Sequence, residues 1–225
     1  MAKLILLRHG ASLWNELNIF TGWVDIPLSQ KGIQESLDAG KKIADIPIDV
    51  IFTSTLCRAQ QTAMLAMSVH KGGRIPRVLH SSGGNLEKWG QIYSKETEGQ
   101  TIPVYVAWEL NERMYGELQG MNKDDMRTKF GAEQVHVWRR SFDVAPPQGE
   151  SLKMTAQRAI PYFEKEIIPE LKKGKNVLVS AHGNSLRAIV KDIDGLSDEA
   201  VVKLEIPTGV PIIYTFDKGK WVKDV

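Results

Sequence analysis

The sequence predicts a three-layer α/β fold, with a largely parallel central sheet and helices on both faces. Three observations carry this. Strand-like apolar runs and amphipathic stretches alternate through most of the 225 residues. The run Lys3–Leu7 has no in-out alternation, as expected of a strand buried on both faces. Two runs end almost alike, one on Leu7-Arg8-His9-Gly10 and one on Ser180-Ala181-His182-Gly183. In open α/β sheets the carboxyl ends of the strands form the ligand-binding crevice.

Each element has its own signal. After the first strand, PLSQKG starts a helix, with Ser29 as N-cap and Ile33, Leu37 and Ile43 on an apolar stripe. Val50–Thr53 is a second strand, followed by a helix at about Arg58–Ser68. The stretch His70–Ala107 contains KGGRIP, SSGGN and KETEGQ, which are loop signals. It is expected to be an insertion over one end of the sheet, inside a single domain spanning 1–225. Leu152, Ala156, Ile160, Phe163, Ile167 and Leu171 recur every three or four residues and predict a helix over Ser151–Leu171. Pro161 should kink or divide it, and Gly174 stops it. Asn176–Ser180 is a third strand, a helix follows from about Ser185, and a last strand turns back near Asp217–Gly219.

Composition narrows the function. Apolar residues are 42%, charged residues 25% and the net charge is +2. That is ordinary globular composition. It lacks the clustered basic excess expected of a nucleic-acid or membrane-surface protein. Arg127, Lys129, Arg139 and Arg140 are too few to reverse that. Cys57 is the one cysteine, so no intrachain disulfide forms. The N-terminal apolar run is too short for a signal peptide, and the expected location is cytoplasmic.

The chemistry follows from the duplicated strand ends. If those strands are neighbours, His9 and His182 face each other at one mouth. Helix N-termini after the turns aim backbone N–H groups at the same point, which suits an anion. In TLCRAQQT the pattern recurs, with Arg58 at a helix start. The guanidinium groups of Arg8 and Arg58 match phosphate oxygens. A histidine among such cations can attack a phosphoryl group. His9 as core packing or as a zinc ligand are the competing readings. The adjacent Arg8 weighs against a cation, and no metal site is expected. WELNERMYGELQGMNK, from Trp108 to Lys123, supplies Glu112 as a proton carrier beside Arg113, Tyr115 and Lys123. Near phosphate its carboxyl is expected to titrate high. Arg139 and Arg140 in WRRSF offer a second anion site.

LRHG, NIFTGWVDIPLSQKG, FTSTLCRAQQT, LNERMYGELQGMNK, WRRSF, AHGNSLRAIVK and IPTGVP occur in order from Leu7 to Pro211. The chain thereby resembles the histidine phosphatase superfamily and, within it, the cofactor-dependent phosphoglycerate mutases. The resemblance implies that His9 becomes phosphorylated, and that Arg8, Arg58, His182, Asn15 and Gly183 line the phosphoryl pocket. It makes Glu112 the general acid and base. It gives substrate binding to Thr21, Gly22, Arg113, Tyr115, Lys123, Arg139, Arg140 and Asn184. It implies priming by 2,3-bisphosphoglycerate and interconversion of 2- and 3-phosphoglycerate without a metal; the family includes monomers, dimers and tetramers, and a homodimer is the expectation here. A phosphatase or a bisphosphoglycerate synthase on the same scaffold is the alternative. A catalytically dead binding module would be expected to lack some of these groups. Departures from the family pattern are Ala11, where a polar or acidic residue is usual, the longer 70–107 stretch, and the shorter linker DVAPPQGESL. The chain also ends at Val225, where many members continue into a tail over the site. The expected consequence is weaker exclusion of water.

Overall fold

The computed structural model describes residues 1–80 and 83–224. Among these residues the strands are β1 (Ala2–Arg8), β2 (Val50–Thr53), β3 (Ile75–Val78), β4 (Thr101–Val106), β5 (Val177–Ala181), β6 (Pro211–Asp217) and β7 (Lys220–Lys223). The α-helices are α1 (Leu13–Glu16), α2 (Gln30–Lys42), α3 (Cys57–Ser68), α4 (Gly84–Trp89), α5 (Lys95–Gly99), α6 (Lys123–Phe130), α7 (Ala132–Arg140), α8 (Leu152–Tyr162), α9 (Ile168–Lys172), α10 (Gly183–Asp194) and α11 (Asp198–Lys203). None of the helices among the described residues is long and apolar enough to cross a membrane.

The strands form one sheet in the order β3-β4-β2-β5-β1-β6-β7. The first five are parallel, while β6 and β7 run antiparallel at one edge. Side chains of a strand alternate between faces, and the core divides accordingly. Leu4, Leu6, Phe52, Val177 and Val179 pack with Phe163, Ile167, Leu186 and Ile189 on one face. Ile5, Leu7, Ile51 and Leu178 pack with Ala39, Ile43, Ala63 and Met67 on the other. The three layers are thus α8 to α10, the sheet, and α2 with α3.

One expectation needs correction and another is met. The 70–107 stretch is not only insertion, because β3 and β4 extend the central sheet within it. Pro76 and Pro103 lie inside these strands and remove ladder donors, which hid them in the sequence. The helix predicted over 151–171 forms and is interrupted just after Pro161, as that proline suggested. α8 carries Pro161, a wider π turn follows over Phe163–Ile167, and α9 restarts with Pro169 in its first turn. Phe163 and Ile167 remain buried, so the apolar face survives the break.

One close approach holds the start of the loop after β1. A Cβ on Gly10 would lie 2.2 Å from Gly32 O, and one on Gly32 would lie 2.0 Å from Ala11 O. Only glycine at both positions lets the chain after β1 touch the first turn of α2. Ser29 caps that helix through Gly32 N–H, as expected, and its backbone N–H donates to Ala11 O at 2.9 Å. The Gly10 N–H donates to Thr62 Oγ1 on α3 at 3.0 Å.

Candidate active site

The carboxyl ends of β1, β2 and β5 meet in one cleft. Because β1 and β5 are neighbours in parallel, His9 and His182 come together with ring centroids 4.9 Å apart. His9 is 2% exposed. Its Nδ1 lies 2.7 Å from Gly10 O. A carbonyl only accepts, so Nδ1 carries the proton and Nε2 keeps its lone pair. Burial holds the His9 imidazole well below its ordinary pKa, and Arg58 and Arg8 add to the effect. His182 is lowered in the same way by burial, Arg58, His9 and Arg8. Both rings are therefore neutral near pH 7. Ser54 Oγ, at the end of β2, lies 2.7 Å from His182 Nε2 and fixes that ring.

The cations are held by backbone carbonyls. Arg8 Nη1 donates to Ile206 O at 2.7 Å. Arg58, 1% exposed, donates from Nη1 to Val24 O at 3.0 Å and from Nη2 to Gly22 O at 2.7 Å. Arg58 thus shapes the loop bearing Thr21 and Gly22 as well as facing the cleft. The Nε of each arginine is buried and has no protein partner among the described residues.

Glu112 lies across the cleft on a loop between two short 3-10 turns. Its Oε1 accepts from Arg113 N–H at 2.7 Å, from Asn184 Nδ2 at 2.8 Å and from Asn184 N–H at 3.2 Å. Oε2 has no protein hydrogen bond among the described residues; a Cβ on Gly183 would lie 3.7 Å from it, close to the Arg8 guanidinium as well. Burial pushes this carboxyl up, but the hydrogen bonds, Arg8 and Arg58 outweigh burial and hold it below its ordinary value. With these donors around it Glu112 is held as a carboxylate; the raised titration expected from the sequence applies beside a bound phosphate.

Arg8, His9, Asn15, Thr21, Gly22, Arg58, Glu112, Tyr115, Lys123, Arg139, Arg140, Gly183 and Asn184 all line this one cleft. Gly183 and Asn184 open α10, whose N-terminus faces it. Two of the sequence-predicted residues stand behind the wall. His182 backs His9, and Arg113 is fully buried, donating to Tyr115 Oη at 3.3 Å and Arg139 O at 3.1 Å. Burial, with Arg139 next, lowers the Lys123 ammonium. Sequence reasoning missed Ser54, Arg187 and Glu205. Arg187 is four residues beyond Gly183, hence on the same helical face, a spacing that could have found it. Glu205 pairs with Arg140 at 2.6 Å and Arg187 at 3.6 Å, and no local pattern announced it.

Comparison with known proteins agrees with this geometry. The family model of the histidine phosphatase superfamily (branch 1) matches residues 4–79 and 91–225. A 2,3-bisphosphoglycerate-dependent phosphoglycerate mutase of Protochlamydia amoebophila is 64% identical over 223 residues, covering 99% of each chain. The protein of the same name from Chlamydia pneumoniae is 56% identical over 220 residues, covering 98% of this chain and 96% of that one. A solved mycobacterial glucosyl-3-phosphoglycerate phosphatase is alike in fold, with a TM-score of 0.74 at 23% identity, covering 100% of this chain and 98% of that one. The chain belongs to the histidine phosphatase superfamily, branch 1, and within it to the 2,3-bisphosphoglycerate-dependent phosphoglycerate mutases.

Proposed function

We propose that the protein interconverts 2- and 3-phosphoglycerate through a phosphohistidine at His9. The observation that carries this reading is the pairing of a neutral His9, its Nε2 without a hydrogen bond among the described residues, with an ionised Glu112 in one cationic cleft. The donor set fits a small molecule with two anionic ends. Arg8 and Arg58 present unpartnered buried N–H groups beside His9, while Lys123, Arg139 and Arg140 line the same cleft. 2,3-Bisphosphoglycerate, when bound, supplies the phosphoryl group that primes the enzyme.

His9 Nε2 takes the phosphoryl group in line, and Arg8, Arg58 and the α10 N-terminus stabilise charge on its equatorial oxygens. Transfer from His9 to the free hydroxyl of a phosphoglycerate forms the new P–O bond and breaks the P–N bond. Glu112 Oε2 accepts the hydroxyl proton. Return of a phosphoryl group from the adjacent carbon to His9 reverses these roles, and Glu112 gives the proton to the departing oxygen. Arg139, Arg140 and Lys123 hold the other end of the substrate, so the molecule can turn without leaving. No three His, Cys, Asp or Glu side chains among the described residues are grouped to hold a metal ion; the reading gives charge stabilisation to the arginines.

The reading includes a cytoplasmic location and a homodimer. Ile75 and Val78, exposed on edge strand β3, support the dimer. Phosphorus NMR tests the activity, with 3-phosphoglycerate, a trace of 2,3-bisphosphoglycerate and a chelator. The expected result is growth of the 2-phosphoglycerate signal with little free phosphate. Mainly free phosphate would replace the mutase reading with a phosphatase one.

A further inference from the structure

Helix α8 contributes no side chain to the cleft, yet one of its residues spends every donor it has on the catalytic loop and on Glu150. Arg158 Nε donates to Glu150 Oε1 at 2.9 Å and Nη2 to Glu150 Oε2 at 2.8 Å, a bidentate pair. The second Nη2 proton goes to Glu112 O at 2.9 Å. Nη1 donates to Glu109 O at 2.8 Å and Asn111 O at 2.9 Å. All five N–H groups of the guanidinium are thereby used. The side chain is 8% exposed, so these bonds form largely out of water. Glu150 completes the brace, because its Oε2 also accepts Met114 N–H at 3.0 Å.

The brace therefore holds the chain on both sides of Glu112, from 109 to 114. It has a second point of contact, since the Trp23 indole N–H also donates to Glu112 O. The carboxylate is fixed at one end by Asn184 and Arg113 N–H, and its own peptide is fixed at the other by Arg158 and Trp23. We propose that Arg158, through its ion pair with Glu150, is a positioning residue that sets the aim of Glu112 Oε2 for proton transfer. The proposal rests on the mutase reading and adds to it a residue that touches neither substrate nor phosphoryl group. Lysine cannot substitute, because an ammonium has three donors radiating from one atom and lacks the planar fork.

The test is a double-mutant cycle of Arg158→Lys with Glu112→Gln, measured as mutase turnover. Arg158→Lys alone should lower kcat about 10- to 100-fold, a part of what general acid–base catalysis contributes, with KM within about threefold of wild type. Its kcat–pH profile should shift on the acid limb. On the Glu112→Gln background the same change should cost less than about twofold, because the group it aims is already gone. Multiplicative losses in the cycle, or a loss confined to KM, would overturn the proposal. Glu150→Gln is the second variant. It leaves the guanidinium and its three carbonyl bonds in place but weakens the anchor, and should lower kcat less than Arg158→Lys. Thermal unfolding of each variant separates a misaimed loop from an unfolded protein; Glu150→Gln with native Tm and full kcat would remove the anchor from the account. A wild-type protein without mutase turnover would instead overturn the mutase reading itself.

Discussion

Protonating a buried imidazole is harder in the folded chain than in the unfolded one, and His9 and His182 both face this penalty. Burial and the neighbouring arginines depress both folded-state values below the unfolded value of about 6.5. Below that pH the unfolded chain binds protons that the folded chain refuses. Stability is therefore complete above about pH 6.5 and falls as the pH drops, by up to about 1.4 kcal/mol per pH unit for each group. Urea unfolding between pH 7.5 and 5 should show this slope, and His9→Ala should make it shallower. Identical slopes would mean that the His9 ring is not held neutral by the fold. Glu112→Gln should lower kcat about 10²- to 10⁴-fold, since no proton carrier remains at Oε2; retention of wild-type turnover would move that role elsewhere. The site's residues were legible where a strand runs into an arginine or a histidine, as at Arg8, His9 and His182. Ser54, Arg158 and Glu150 were not, because their partners are brought to them by packing and not by neighbouring sequence.

Helices and strands place those residues, and the contact between the β1–α1 loop and α2 is among the tightest of the placements. Gly32→Ala would drive a methyl group into Ala11 O, with backbone on both sides and nothing flexible to yield. Overpacking of this kind costs about 1–3 kcal/mol. A chain of this size loses about 2–4 °C in Tm per kcal/mol. Turnover should fall with it, because the displaced loop begins at His9. Gly99→Ala is the control: a Cβ there meets nothing within 4 Å, and Tm should hold. Equal effects of the two substitutions would show that the contact is not tight. The same scale explains what the sequence hid. β1, β2 and β5 are runs of buried apolar residues and are visible as such. β3 has no fully buried residue, and β4 ends exposed. With a proline in each, neither has the alternation or the continuity by which strands are recognised.

A net charge of +2 conceals a strongly uneven distribution. Arg8, Arg58, Lys123, Arg139, Arg140 and Arg187 face one cleft, with Glu112 and Glu205 as its carboxylates. Anionic substrates should be drawn in by this field, so kcat/KM should fall as salt rises from low to physiological strength. Glu205 occupies two of the cations at the mouth. Exposed ion pairs of this kind are worth about 0–1 kcal/mol, so Glu205→Gln should lower KM for phosphoglycerate by up to about fivefold at low salt, and the gap should close at high salt. A raised KM would mean that Glu205 recognises substrate instead of competing with it. The strand order has a last consequence. β5 lies between β1 and β2, although it is made long after both. On the ribosome, the nascent chain must wait for residues 177–181 before the middle of its sheet can close. Such late, long-range pairing is kinetically slow. His9 emerges among the first residues, but it acquires its partner His182 and the Asn184 contact to Glu112 only in the last fifth of translation. A chain stalled before Asn184 thus lacks these contacts, and on the proposed mechanism labelling of His9 with phosphate reports that β5 has been made and the sheet has closed around it.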